Sequence, residues 1–410
     1  MSLAPVRLGL RANAAQFALL VALNALVGAD VGLERSVVPL IGEHEFGLAS
    51  KAAILSFIVA FGAAKALANL LAGRLAGAVG RRRVLLLGWA LAAPVAPMFA
   101  VAPSWTLFVV ANVLLGASQG LAWSMTVVMK IDLAGPDRRG LALGLNESAG
   151  YLGLAATALA TGALAADVAP RTLVWAGVAA ITGLGLTATL LFIRETTAHV
   201  EHEQRVHAHR ARSAGVIRAC RQAGFVNNLN DALAWGVAPV YLAAHGASAA
   251  EVGAVAALYP AVWGAGQVLT GWLSDAVGRK PLIAGGMLVQ AGALGLLAAA
   301  RGSFAPAAGA AVLLGIGTAL VYPTLIAAVS DAVSPRERAA GVGVYRFWRD
   351  AGLVAGALLA GFVADALGYG GAIGVVAGLT AASGIVVLAT PWHAATEPST
   401  VAIGRIANTV

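Results

Sequence analysis

Gly73-Arg-Leu-Ala-Gly77-Ala-Val-Gly80-Arg81-Arg82 returns, 198 residues later, as Gly271-Trp-Leu-Ser-Asp275-Ala-Val-Gly278-Arg279-Lys280. Other matches keep nearly the same register. Val113-Leu-Leu-Gly116 recurs as Val312-Leu-Leu-Gly315, and Pro136-Asp-Arg-Arg139 as Pro335-Arg-Glu-Arg338, both 199 residues on; Pro39 matches Pro239 at 200. Four matches in one register mark a duplicated unit. The two copies must share one topology, so each half crosses its solvent boundary an even number of times.

That boundary is a membrane. Of 410 residues, 59% are hydrophobic and only 11% charged, with a mean hydropathy of +0.82. Soluble domains carry roughly 25% charged residues, so most of this surface must meet lipid or other embedded helices. The net charge of +8 does not point to nucleic acid, because the basic residues sit in short gaps between apolar runs. Cys220 is the one cysteine, which excludes an intrachain disulfide. Four lysines against 23 arginines, with abundant Ala and Gly, match a GC-rich bacterial genome. The first apolar run is too long for the core of a cleavable signal peptide and is expected to remain as a span.

Spans of about twenty residues are predicted over 14–40, 50–75, 83–102, 105–130, 140–166, 172–193, 223–244, 250–274, 281–300, 304–330, 339–367 and 371–391. Each should be helical, because irregular backbone is excluded from hydrocarbon. Pro39, Pro239, Pro260 and Pro323 fall in or near these runs and predict kinks. With the N-terminus inside, twenty of the 27 lysines and arginines lie at cytoplasmic ends and loops, against Lys51, Arg171 and Arg301 outside. That bias predicts both termini in the cytoplasm. The expected organisation is a six-helix bundle over 1–194, a cytoplasmic linker over 195–222 and a second bundle over 223–410. The linker carries His199, His202, His207 and His209, but its glutamates and arginines read as a solvated segment, and no metal site or cofactor is expected.

The doubled G-x-L-x-[D/G]-x-x-G-R-[R/K] loop resembles the signature of the major facilitator superfamily, over essentially the whole chain. The resemblance implies an all-α membrane protein with two pseudo-symmetric six-helix bundles that rock about a central site. It also implies a cytoplasmic gate built from Gly73, Gly80, Arg81, Gly271, Gly278 and Arg279. Its usual acid is replaced by Gly77 in the first copy and kept as Asp275 in the second. Asp275 is therefore expected to latch against the start of span five, near Arg139 and Gly140, where a carboxylate gains roughly 0.3–1 kcal/mol from the helix dipole. Likeness to the drug–proton antiporter branch is only partial: span five, Glu147-Ser-Ala-Gly-Tyr-Leu-Gly153, lacks that branch's proline, and Gly116 stands where it has an arginine.

Ionisable groups inside spans are expensive and read as functional candidates. Span one holds Asp30 and Glu34 on one face with Arg35 beside them; these acids and Asp231 are the proton-coupling candidates. Span two holds Lys65 and Asn69, with Asp30 a plausible partner for the lysine. In span seven Asn227, Asp231 and Trp235 recur at four-residue spacing. In span eleven Arg346 and Asp350 form an i,i+4 pair, leaving Arg349 for Asp231 or a substrate. Trp123, Tyr259, Trp263, Gln267 and Tyr322 are further cavity candidates, and Glu147 is assigned to the gate. A static ion pair or plain interhelical packing is the rival reading for each.

No Walker-type loop, G-x-S-x-G elbow or C-x-x-C is present, so neither ATP-driven pumping nor an enzyme is expected. The expectation is a monomeric, proton-coupled transporter of the bacterial inner membrane, either exporting an organic or amphiphilic solute or moving an anionic metabolite in one direction or the other. A non-transporting membrane receptor is the remote alternative.

Overall fold

The computed structural model describes residues 6–48, 51–165, 167–206 and 213–392. Helices follow one another with no strand among these residues. The first seven are α1 (Ala14–His44), α2 (Lys51–Val79), α3 (Arg81–Ala92), α4 (Val95–Val101), α5 (Trp105–Ala134), α6 (Arg139–Leu164) and α7 (Pro170–Phe192). A short polar helix, α8 (Thr197–Val206), precedes α9 (Ala214–Ala244), α10 (Ala249–Val277), α11 (Arg279–Ala300), α12 (Phe304–Asp331) and α13 (Arg338–Ala389).

Nine helical stretches among the described residues are long and apolar enough to cross a membrane, with α3 and α4 together counting as one. The polar residues of α6 and α9 keep those two helices out of that set. α13 crosses twice: 52 residues at 1.5 Å each would reach about 78 Å, and Gly368, at φ 73, breaks it. Among the described residues these additions give twelve helical stretches of spanning length.

Three boundaries differ from the sequence reading. The third span is interrupted at Ala93–Pro94, because proline has no amide hydrogen to continue the ladder and its ring crowds the preceding turn. The last two spans turn at Gly368 without a loop. The polar stretch 195–222 contains α8 and the first residues of α9, while His207 and His209 lie outside the described residues.

Equivalent helices of the two halves pack alike: α1 on α6 and α9 on α13, α2 on α5 and α10 on α12. With little hydrophobic drive between helices in lipid, close backbone approach supplies the contact. At the α1–α6 crossing a Cβ on Gly28 or Gly32 would run into the carbonyl of Gly150 or Leu154. Gly352 meets the Phe225 carbonyl on α9 in the same way. Gly32→Leu is expected to destabilise the protein by about 1–3 kcal/mol through overpacking, seen as a lower melting temperature of the purified chain. Gly162→Ala, with open space around its Cβ, should melt as the wild type; equal melting of both variants would refute this packing account.

The halves meet along two seams, α6 with α10 and α2 with α13. Gly140 abuts Gly271, Gly144 the Gln267 carbonyl, Gly73 the Ala339 backbone and Gly343 the Asn69 backbone. All these contacts lie toward the arginine-rich side. Further along α2 and α10, Gly62 and Gly253 face open space. The molecule is thus closed on the arginine-rich side.

Candidate functional site

Two polar regions lie where the halves meet, a latch at the arginine-rich end and a charged aromatic cluster deeper in. Gly80 (φ 91) and Gly278 (φ 94) end α2 and α10 in a conformation open to glycine without strain, and each turn delivers the following arginine inward. Asp275 at the end of α10 accepts hydrogen bonds from the Gly140 and Leu141 amides at 2.8 and 2.9 Å. It thereby fills two of the orphan donors at the start of α6. Gly77, its equivalent, has no atom within 4 Å of its Cβ position.

Behind this cap runs a continuous chain of opposite charges. Arg279 pairs with Asp275 at 2.7 Å and with Asp331 at 3.0 Å. Asp331 also takes Arg139 at 2.5 Å. Arg139 and Arg338 both donate to Oε1 of Glu203 on α8, the latter at 2.7 Å. Arg338 continues to Asp132 at 3.1 Å, and Asp132 to Arg81 at 3.2 Å. Three of the four positions recur in both halves at 198–199 residues: Arg81 with Arg279, Asp132 with Asp331, Arg139 with Arg338. Glu203 has no repeat; it is the linker's carboxylate between two arginines of opposite halves. Burial raises the Glu203 carboxyl, but Arg338 and Arg139 outweigh that and hold it below the usual carboxylate range.

The deeper cluster interleaves cations with aromatic rings. The Lys65 amine lies 4.8 Å from the Trp123 ring centre, and the Arg346 guanidinium 5.8 Å from the same ring. Arg349 sits over Tyr322 at 4.0 Å. Glu147 accepts the Trp123 indole N–H at 3.2 Å and an Asn146 amide N–H at 2.8 Å, and lies 3.8 Å from Arg346. Arg349 is shared between Asp350 at 3.2 Å and Asp231 at 3.6 Å, and Asn69 donates to Asp350 at 2.7 Å. Tyr259 donates to Asp231. Tyr151 and Trp263 touch across the α6–α10 seam with ring centres 4.2 Å apart. Several buried polar atoms have no hydrogen-bond partner: Nε and Nη1 of Arg346, Nε of Arg349, Nε1 of Trp263 and both amide atoms of Gln267.

The sequence profile of the Major Facilitator Superfamily matches residues 12–220 and 223–405. The chain belongs to the major facilitator superfamily. Solved structures of the same fold include the human organic anion transporter MFSD10 (TETRAN), 18% identical with a TM-score of 0.74, covering 91% of this chain and 99% of that one. The E. coli fucose:proton symporter FucP is 17% identical at 0.73, covering 92% and 98%. The proton:xylose symporter XylE is 13% identical at 0.72, covering 91% and 94%.

On this major facilitator scaffold the sequence candidates divide into groups. Asp275, Arg139, Arg279 and Arg81 gather at the latch with Gly73, Gly80, Gly271 and Gly278. Lys65, Asn69, Trp123, Asp231, Tyr259, Trp263, Tyr322, Arg346, Arg349 and Asp350 gather in the deeper cluster. Glu147 joins that cluster rather than the gate, because seven residues carry it about two turns along α6 from Gly140. Asn227 turns instead to Gln290 at 2.9 Å, and Trp235 is 55% exposed beside an apolar pocket. Four-residue steps advance about 400° along a helix, so the stripe drifts by about 40° per step, and Trp235 reaches the cluster only at its edge, against Tyr259 with ring centres 6.3 Å apart. Arg346 faces Glu147, not Asp350. Lys65 forms no ion pair among the described residues, with Asp30 or any other acid. Asp30 and Glu34 are buried, 1% and 0% exposed, and among the described residues Oδ1 of Asp30 and both carboxylate oxygens of Glu34 accept no hydrogen bond.

Sequence reasoning missed Tyr151, Asp132, Glu203 and the buried Lys130–Asn146 contact. Asp132 carried a usable signal, since Asp331 stands 199 residues beyond it.

Proposed function

We propose that this chain is a proton-coupled secondary transporter that moves a small organic anion by alternating access, rocking residues 1–194 against 223–410 about the linker 195–222. The arginine-rich side faces the cytoplasm of a bacterial inner membrane, with both termini inside, and the monomer is the working unit. Of the two substrate readings, efflux of an amphiphile and movement of an anion, the cluster favours the second. The observation that carries it is Arg346, buried where the halves meet, with Nε and Nη1 making no hydrogen bond and Nη1 held only by a long 3.8 Å ion pair to Glu147. A buried donor left unmade costs about 1–3 kcal/mol, and an incoming carboxylate would recover that. MFSD10 is described as an organic anion transporter, but at its low identity that likeness bears on fold, and the anion reading rests on Arg346, Arg349 and Lys65.

Asp30 and Glu34 supply the proton carriers. Both are buried in α1 with no cation within ion-pair distance among the described residues, so burial disfavours the charged carboxylate at either position. Asp231 is held by Arg349 and Tyr259 and is released for protonation only if the arginine moves to substrate. The test is uptake into proteoliposomes with an imposed pH gradient. Asp30→Asn is expected to lower gradient-driven accumulation at least about tenfold, since one missing proton site uncouples the cycle, while leaving counterflow exchange within a factor of two. Undiminished accumulation in Asp30→Asn and Glu34→Gln would exclude α1 as the proton route.

A further inference from the structure

The walls between which the halves part are aromatic on both sides. Tyr151 and Trp123 come from α6 and α5, and Trp263 and Tyr322 from α10 and α12. The Tyr151–Trp263 contact, at 4.2 Å between ring centres, bridges the halves and must break or slide whenever they rock. Trp263 and Tyr322 are 5.8 Å apart at 72°, and Trp123 and Tyr151 5.8 Å apart at 63°. All these rings are buried or half-buried. A gap opening here exposes π faces to one another, and a third flat ring is the shape that restores the offset and edge contacts rings prefer. A cation lies against each wall, Arg346 5.8 Å from Trp123 and Arg349 4.0 Å from Tyr322. The Trp263 indole N–H has no acceptor. Gln267, one turn further along α10, offers an unpartnered donor and acceptor.

We infer that the transported anion is a planar aromatic carboxylate, its ring held between Tyr151–Trp123 and Trp263–Tyr322 and its carboxylate on Arg346. This rests on the anion reading above and adds the ring. An alicyclic acid of equal charge fills the space without the quadrupole that the tyrosine and tryptophan faces match. A neutral arene matches the rings and leaves Arg346 unanswered.

Isothermal titration of the purified full chain in nanodiscs separates these demands. The ligands are benzoate, phenylacetate and indole-3-acetate, with cyclohexanecarboxylate as the non-aromatic acid and benzamide as the neutral arene. At least one aromatic acid is expected to bind roughly tenfold or more tighter than cyclohexanecarboxylate. That preference should collapse toward unity in Trp263→Leu and persist in Trp263→Phe, a readout that loss of folding alone would not reproduce. Equal binding of cyclohexanecarboxylate and the aromatic acids overturns the ring inference and leaves an anion site. Benzamide binding as well as benzoate overturns the anion reading itself. No binding by any carboxylate overturns both.

Discussion

Glu203→Ala is expected to open the arginine-rich end of the molecule, raising the chemical accessibility of the latch at least tenfold. Glu203 is 2% exposed and its Oε1 holds Arg139 of one half and Arg338 of the other. Removing one partner of a buried charge pair costs about 3–5 kcal/mol, and each 1.4 kcal/mol is about tenfold in population. Arg139 keeps Asp331 and Arg338 keeps Asp132, which places the effect at the lower end of that range. Ser274, 1% exposed beside Gly140, gives the readout as Ser274→Cys in a Cys220→Ser background, by its rate of maleimide modification. An unchanged rate would refute the role given to α8. The same assay carries a pH arm. A carboxyl held below its ordinary value contributes stability that is complete above about pH 4.3 and is lost as pH falls through the lowered value. Because maleimide reacts with the thiolate, the rate is divided at each pH by that of the same thiol in the denatured chain; this ratio should be flat between about pH 5.5 and 8, which assigns any pH dependence of transport in that window to other groups.

Arg349→Gln is expected both to abolish transport and to destabilise the fold. Arg349 answers Asp350 and Asp231 and stacks on Tyr322; without it two carboxylates remain inside the bundle with no cation between them. The loss is again about 3–5 kcal/mol. Arg349→Lys keeps the charge but not the fork or the flat stack, so it should fold and transport poorly. Adding Asp231→Asn to Arg349→Gln removes one stranded charge and should restore much of the melting temperature without restoring transport. A double variant that melts as low as Arg349→Gln would show that the arginine does not stabilise through Asp231.

The doubled loop and the polarity of the chain made most of the fold legible, because spans and repeats are written in local sequence. The neighbourhood of Asp275 and Gly140 was also foreseeable, since a carboxylate beside uncapped amides needs only the shared register of the two halves. What stayed hidden depends on rotation about helix axes. Asn227, Asp231 and Trp235 look like one stripe, yet about 40° of drift per step turns Asn227 to Gln290 and leaves Trp235 at the cluster's edge, against Tyr259. Tyr151 reads as one aromatic in a glycine-rich helix until α10 brings Trp263 against it. Glu203 sits in a stretch with histidines and charges that reads as solvated, and no periodicity announces two arginines arriving from distant helix starts.

The two seams are unequal in their wetting. Asp132 and Arg338, beside the α2–α13 seam, have fully buried side chains, whereas Asp331 keeps 28% of its side chain exposed, Arg279 11% and Asp275 8%. Dissolved ions screen charges they can approach and leave dry ones almost untouched. Raising ionic strength should hence loosen the α6–α10 border ahead of its counterpart, so that the two bundles swing apart askew, like a book whose binding is stiffer along one edge.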